Sequence, residues 1–313
     1  MSLGWCCYDR DLADPRHVDA VRRLRPAMVR WFCSIDRYVK GSAANFDWEA
    51  TFGEALESLA RVGTRLVVQL QMKRPDWTAG DAGNVIGAQS WRPARCGWPQ
   101  DPDSTWVPFV RRLAAAVDAH GFERPTLWGA WNEPDWRLDW WWAPRPKGAN
   151  PLSPTEEWQW GQFLWWPMPP LPPFGWSGGH SRLSDLRLKL PELTWTSDGV
   201  GGSPEWLALT AKDPTVSVID VHGYYDVRVA DLLKFTAMIV EEFDRARPDR
   251  LPIIVGEWGE NANGTPFTPA WQARSTILED ELDRIYPGRV LGVCAHLQGA
   301  RDGTTFPALW QVL

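Results

Sequence analysis

Eight short apolar runs, each separated from the next by room for a helix, constrain this chain more than any other feature. The runs are Leu3–Tyr8, Ala27–Phe32, Arg65–Gln71, Thr126–Trp131, Leu193–Ser197, Val216–His222, Pro252–Gly256 and Val290–His296. Each has the length and the apolar content of a buried strand. Between them, apolar residues recur at helical spacing, as in Phe52, Leu56, Leu59 and Ala60, in Phe109, Leu113 and Val117, and in Leu232, Leu233, Met238 and Ile239. Strands that alternate with helices pair in parallel and carry the helices outside the sheet. Eight such units predict an α/β protein, a (β/α)8 barrel of the TIM type, with its active site at the carboxyl ends of the strands. A barrel takes about 250 residues, so the 313 residues predict one domain over positions 1–313, without repeats, charged tails or a linker.

Two connections exceed what a barrel needs. About thirty residues rich in Gly, Pro and Trp follow the third run (Met72 to Asp103), and a longer insertion passing Trp140-Trp141-Trp142 follows the fourth. Loops of that length usually form functional walls or lids. Within the second, Trp165-Trp166-Pro167-Met168-Pro169-Pro170-Leu171-Pro172-Pro173 cannot continue as ordinary helix, because proline lacks the amide donor. It predicts polyproline-like extended chain or a docking site for a proline-reading module.

Composition narrows the partners. A net charge of −6 gives no electrostatic reason to expect nucleic acid, and no run approaches the roughly 18 apolar residues of a membrane helix. Tryptophan is the outlier, 23 copies beside 5 tyrosines. Indoles pack on the C–H faces of sugars, so those near a cleft suit a carbohydrate, while most should be core. Cys6, Cys7, Cys33 and Cys294 fall in strand-like runs and Cys96 in a loop; an odd count without metal-like spacing favours buried thiols and a reducing, cytoplasmic compartment. The first strand begins at about Leu3, which leaves no room for a signal peptide; a secreted chain already trimmed of one would look the same.

The chemistry-bearing positions are Glu133, in Trp131-Asn132-Glu133-Pro134, and Glu257, in Ile253-Ile254-Val255-Gly256-Glu257-Trp258-Gly259. Each carboxylate ends a strand-like run, so both can face one substrate. Glycosidic bond hydrolysis needs such a pair, one carboxyl to protonate the leaving oxygen and one to attack or support the sugar carbon. Arg30, in Val29-Arg30-Trp31-Phe32, puts a guanidinium inside an apolar strand and demands a carboxylate partner. Glu257 is the expected partner, which would depress its pKa and leave Glu133 protonated as the acid; Asp9 or Asp36 are the structural alternatives.

These runs resemble the clan of retaining glycoside hydrolases built on the (β/α)8 barrel, with catalytic glutamates on strands 4 and 7. By that resemblance Glu133 is the general acid/base, Asn132 a hydrogen-bond partner of the sugar 2-hydroxyl, and Glu257 the nucleophile. Asp220-Val221-His222-Gly223-Tyr224-Tyr225 is similar to the clan's His-x-Tyr element, which implies that Tyr224 donates to Glu257 and that His222 contacts substrate or the acid/base. Gly199-Val200-Gly201-Gly202-Ser203-Pro204 and Arg74-Pro75-Asp76-Trp77 look similar to family 39, and the Arg30 and His-x-Tyr elements to family 5. The chain departs where family 5 carries His on the third strand, here Gln69 and Gln71, and Trp on the eighth, here His296-Leu297-Gln298. His296 and Gln298 then become candidates for polar contacts to the sugar, and Trp258, Trp136 and Trp140 for stacking on it.

Other chemistries fit less well. His17, His120, His180, His222 and His296 lack metal-site spacing, no phosphate-cradling glycine loop is present, and no Gly-x-Ser-x-Gly elbow appears. The expected reaction, retaining hydrolysis of O-glycosidic bonds in an oligo- or polysaccharide, needs no cofactor. A carbohydrate-binding barrel without turnover and a transglycosylase using the same residues are the competing readings.

Overall fold

The computed structural model describes residues 4–34, 47–71, 106–130, 184, 186–199, 204–224, 229–259 and 269–296. Its strands are β1 (Gly4–Tyr8), β2 (Met28–Ser34), β3 (Arg65–Gln71), β4 (Leu127–Gly129), β5 (Thr194–Trp195), β6 (Ile219–Tyr224), β7 (Ile253–Gly259) and β8 (Val290–Ala295). They form one parallel sheet in the order β5-β4-β3-β2-β1-β8-β7-β6. A parallel bridge from Thr196 to Val218 links its two ends, supported by amides of Ser197 and Ser217 that donate to Val218 and Trp195 at 2.9 and 2.8 Å. The fold is the (β/α)8 barrel that the eight runs predict.

Alternation along each strand separates two apolar layers. Outward residues such as Trp5, Trp31, Val68, Trp128, Trp195, Val221 and Val255 pack with the helices as the main core. Cys6, Met28, Val67, Leu127, Val218, Ile254 and Cys294 form a second cluster inside the barrel. Buried indoles find acceptors: Trp31 Nε1 donates to Asp9 at 2.8 Å and Trp195 Nε1 to the Leu190 carbonyl at 3.0 Å. Asp9 therefore serves Trp31 of the outer core. Cys6, Cys7, Cys33 and Cys294 are buried thiols, as their strand positions predict.

The helices follow from their sequence signals. Pro15–Leu24 opens with proline in its first turn behind Asp14, which accepts from the Arg16 amide at 2.8 Å. Trp48–Arg61 opens behind Asp47, which accepts from Ala50 at 2.9 Å, and buries Phe52, Leu56 and Leu59. Val229–Ala246 buries Leu232, Thr236, Ile239, Val240 and Phe243, one stripe at helical spacing. Met238 lies beside that stripe and is 47% exposed, contrary to its expected place in the core.

Strand ends differ from the sequence reading in two informative places. β5 keeps two ladder residues where a five-residue run is predicted, because Ser197 replaces part of the ladder with its side chain: Oγ accepts from Asp220 N at 2.8 Å and donates to Asp220 O at 3.2 Å. β7 runs on past Gly256 to Gly259. Its pairing skips one residue, with Val221 beside Val255 but His222 beside Glu257, and Val255 beside Val293 but Trp258 beside Ala295. Gly256 is the bulged residue.

Candidate active site

The Gly256 bulge decides which way Glu257 points. Ile253 and Val255 belong to the outer core, so strict alternation would send Glu257 outward as well. One extra residue reverses the phase. Glu257 turns into the barrel and Trp258 joins the outer core at 6% exposure, on the opposite side from the cleft position expected of a stacking indole. The Cys6 thiol donates to the Gly256 carbonyl at 3.3 Å and ties the bulge to β1.

Toward the carboxyl ends of the strands the barrel interior changes from apolar to polar. Met28 gives way to Arg30 on β2, Val67 to Gln69 on β3, Val218 to Asp220 and His222 on β6, and Ile254 to Glu257 on β7. These buried groups meet one another. Arg30 Nη1 donates to Asp220 Oδ2 at 2.7 Å, Nη2 donates to Gln69 Oε1, and Nε lies 4.0 Å from Glu257 Oε1. His222 sits between the two acids, Nε2 at 3.4 Å from Asp220 Oδ1 and Nδ1 at 3.3 Å from Glu257 Oε1. Two basic and two acidic side chains thus close a ring in which each group faces partners of the opposite type.

Burial by itself would lower the His222 pKa, but Glu257 and then Asp220 outweigh it and carry it from 6.5 up to about 10. Burial likewise opposes the Arg30 charge, and Asp220 and Glu257 overcome that, so its pKa stands above the ordinary value. Asp220 is driven up by burial and down, with the larger effect, by Arg30 and His222. Both shifts favour the charged forms of Arg30 and His222.

Three glycines make the room. A Cβ on Gly256 would lie 1.9 Å from Arg30 Nη1 and 2.1 Å from Asp220 Oδ1, and one on Gly129 would lie 2.1 Å from Gln69 Oε1. One on Gly199 would fall 2.3 to 2.5 Å from three atoms of the His222 ring. Side chains at these positions would fill the space the polar cluster occupies.

Of the sequence candidates, Arg30, His222 and Glu257 come together here. Arg30 does approach Glu257, yet Asp220 is its nearer carboxylate, because β6 aims Asp220 at the guanidinium. His222 contacts Glu257 and Asp220. His296 follows β8, 8% exposed, edge-on to Phe32 with ring centroids 6.4 Å apart. The Tyr224 backbone closes β6 opposite Gly259. Glu133, Asn132, Trp136, Trp140 and Gln298 lie outside the described residues, as do Asp36, Cys96, His180, both long connections and the Pro/Trp-rich segment.

Asp220 and Gln69 are the members that sequence reasoning missed as partners. Asp220 stands two residues before His222 on the same face of one strand, a spacing that could have identified it. Among the described residues no group of three or more His, Cys, Asp or Glu is arranged to hold a metal ion, and no helix is long and apolar enough to cross a membrane.

The architecture is that of a (β/α)8 barrel with a buried charged cluster at the carboxyl end of its sheet. Two solved structures share the fold: a monomeric β-xylosidase from Caulobacter crescentus CB15, at 15% identity and TM-score 0.55, covering 94% of this chain and 59% of its own, and a GH39 β-xylosidase from Caulobacter crescentus, at 15% identity and TM-score 0.54, covering 95% and 64%. This chain thus spans about 60% of the length of those proteins. No protein-family model and no curated protein matches the sequence.

Proposed function

We propose that residues 1–313 form one catalytic domain of a retaining glycoside hydrolase, acting on β-linked O-glycosidic bonds of an oligo- or polysaccharide without a cofactor. The observation that carries this reading is the inward turn of Glu257 at the Gly256 bulge, which sets a carboxylate between Arg30 and His222 where barrel enzymes do their chemistry. The resemblance of the Asn132-Glu133 and Asp220–Tyr225 runs to the clan points the same way, as does the fold shared with two β-xylosidases.

In this mechanism Glu257 attacks the anomeric carbon while Glu133 gives its proton to the leaving oxygen, so the glycosidic bond breaks as the glycosyl–carboxylate ester forms. Glu133, now ionised, takes a proton from water, whose oxygen attacks the same carbon and releases Glu257. Asn132 holds the sugar 2-hydroxyl, and Tyr224 donates to Glu257. Arg30 and His222 are positioning residues: they fix the carboxylate and offset its charge. Asp220 and Gln69 hold those two in turn.

The test is product release from a panel of aryl glycosides and β-linked polysaccharides. Glu257→Ala should fall to background and regain turnover with azide, giving the inverted glycosyl azide, because a small anion can occupy the vacated nucleophile position. Glu133→Ala should lose about 10²- to 10⁴-fold on substrates with poor leaving groups and much less on activated ones. Undiminished cleavage by Glu257→Ala would sink the proposal. So would a Glu133–Glu257 carboxyl separation of about 9 Å in a crystal structure, in place of the roughly 5 to 5.5 Å that retention requires.

A further inference from the structure

A second buried ionic cluster lies beside the one at the barrel mouth. Arg187 is placed before β5, Asp198 just after it, and Asp213 between the helix Pro204–Lys212 and β6. Arg187 Nη2 pairs with Asp198 Oδ2 and Nη1 with Asp213 Oδ2 at 3.0 Å, and all three side chains are buried. Asp213 is anchored by its own loop and by Ser184: Oδ1 accepts from the Thr215 amide at 2.9 Å, from Thr215 Oγ1 at 2.6 Å and from Ser184 Oγ at 3.3 Å. Through Arg187 that anchorage passes to Asp198.

Asp198 needs it. Its φ is 65° and that of Gly199 is 73°, two successive left-handed residues that turn the chain sharply at the end of β5. The turn presses the Gly199 backbone against the His222 ring, on which an added Cβ would land. Asp220 and Glu257 lie 3.4 and 3.3 Å from the ring nitrogens, and Gly199 forms a wall beside the ring.

We infer that Arg187 and Asp198 are positioning residues, whose ion pair holds the Asp198–Gly199 turn against His222 and so fixes Glu257 from behind. The inference rests on the role proposed for Glu257 above. They act through the turn and the imidazole.

The test uses the full chain and compares Asp198→Asn and Arg187→Lys with Arg289→Met. Arg289 provides the control because it donates to the Leu251 carbonyl at 3.0 Å and to both Asp244 carboxylate oxygens at 2.8 Å, apart from the Asp213 loop that anchors Arg187. The His222 imidazole is followed by 15N NMR across pH, its signals assigned by their loss in His222→Gln. Asp198→Asn should lower the apparent His222 pKa by about one unit, a tenfold change in proton affinity. It should also lower kcat about ten- to hundredfold with KM within about twofold, as misplacement of a reacting group does. Arg187→Lys, the milder change, should fall between Asp198→Asn and the unmodified protein. Arg289→Met should lower Tm and leave the imidazole unchanged.

A less stable Asp198→Asn protein with unaltered His222 titration and kcat would overturn the inference, as would an Arg289→Met protein that moves the imidazole equally. If no glycoside is cleaved, the NMR comparison still decides: a shifted titration supports the clamp while the glycosidase reading falls alone, and an unshifted one rejects the clamp.

Discussion

Gly256→Ala adds one methyl group to the barrel, and the structure makes its cost calculable. The new Cβ would lie 1.9 Å from Arg30 Nη1 and 2.1 Å from Asp220 Oδ1, whereas real Cβ atoms essentially never come closer than 3.0 Å. The guanidinium and the carboxylate must therefore retreat by about 1 Å, which stretches a 2.7 Å hydrogen bond beyond the range in which it counts as one. Breaking a buried ion pair costs about 3–5 kcal/mol. The lower entropy of the unfolded alanine chain returns roughly 0.4–1 kcal/mol, so the net loss should be about 2–4 kcal/mol. Urea unfolding followed by tryptophan fluorescence reads that loss, and Glu257-dependent turnover on an aryl glycoside should fall with it. Gly288→Ala is the matched control. Its φ of 72° carries the left-handed backbone penalty, about 1 kcal/mol, but nothing lies within 4 Å of the added Cβ. A Gly256→Ala protein no less stable than Gly288→Ala would refute the reasoning.

Stability against pH should reveal two buried groups that oppose each other. His17 accepts from Trp5 Nε1 at 3.0 Å, and burial lowers its pKa to about 4, so its contribution is complete above about 6.5 and is lost as pH falls toward 4. Burial raises Asp11 to about 6 from 3.8, so its contribution is complete below 3.8 and is lost as pH rises toward 6. Asp11→Asn should leave stability rising by up to about 3 kcal/mol between pH 4 and 6.5, and His17→Gln should leave it falling over the same window; identical profiles for the two variants would contradict this account. Ser197→Ala removes the hydroxyl that serves both the amide and the carbonyl of Asp220, and should cost about 1–3 kcal/mol in urea unfolding. Arg30→Lys keeps the charge but cannot reach Asp220, Gln69 and Glu257 together, so a loss of about 2 kcal/mol or more is expected, with turnover reduced; a variant matching the unmodified protein in both would count against the proposed cluster.

The barrel is legible in the sequence because strands buried on both sides read as continuous apolar runs, and each of the eight runs overlaps a strand. That same property hides which way each side chain points. Ile253, Ile254 and Val255 are all apolar, so no alternation marks the phase of β7, and nothing in Gly256 distinguishes a bulge from an ordinary strand glycine. Glu257 is therefore visible as a carboxylate in the right place, while the device that aims it is not. Arg30 announces itself as a charge that must be paired, but choosing among carboxylates requires the barrel to be closed. Met238 illustrates the opposite limit: helical spacing identifies a stripe, and a residue one position from its edge faces solvent.

The pairing pattern gives the polar cluster a mechanical meaning. Among the described residues, β1 to β5 form one continuous run of ladders and β6 to β8 another, and single register pairs join them at both seams, Trp5 with Ala295 and Thr196 with Val218. Arg30 and Gln69 belong to the first plate, Asp220, His222 and Glu257 to the second. The ring of charges is thus a rivet driven through the middle of a split cylinder. Trimming an active site commonly relaxes strain and makes an enzyme sturdier. Here it should loosen the two plates, so selection for a firm barrel and selection for an intact site act on the same few side chains.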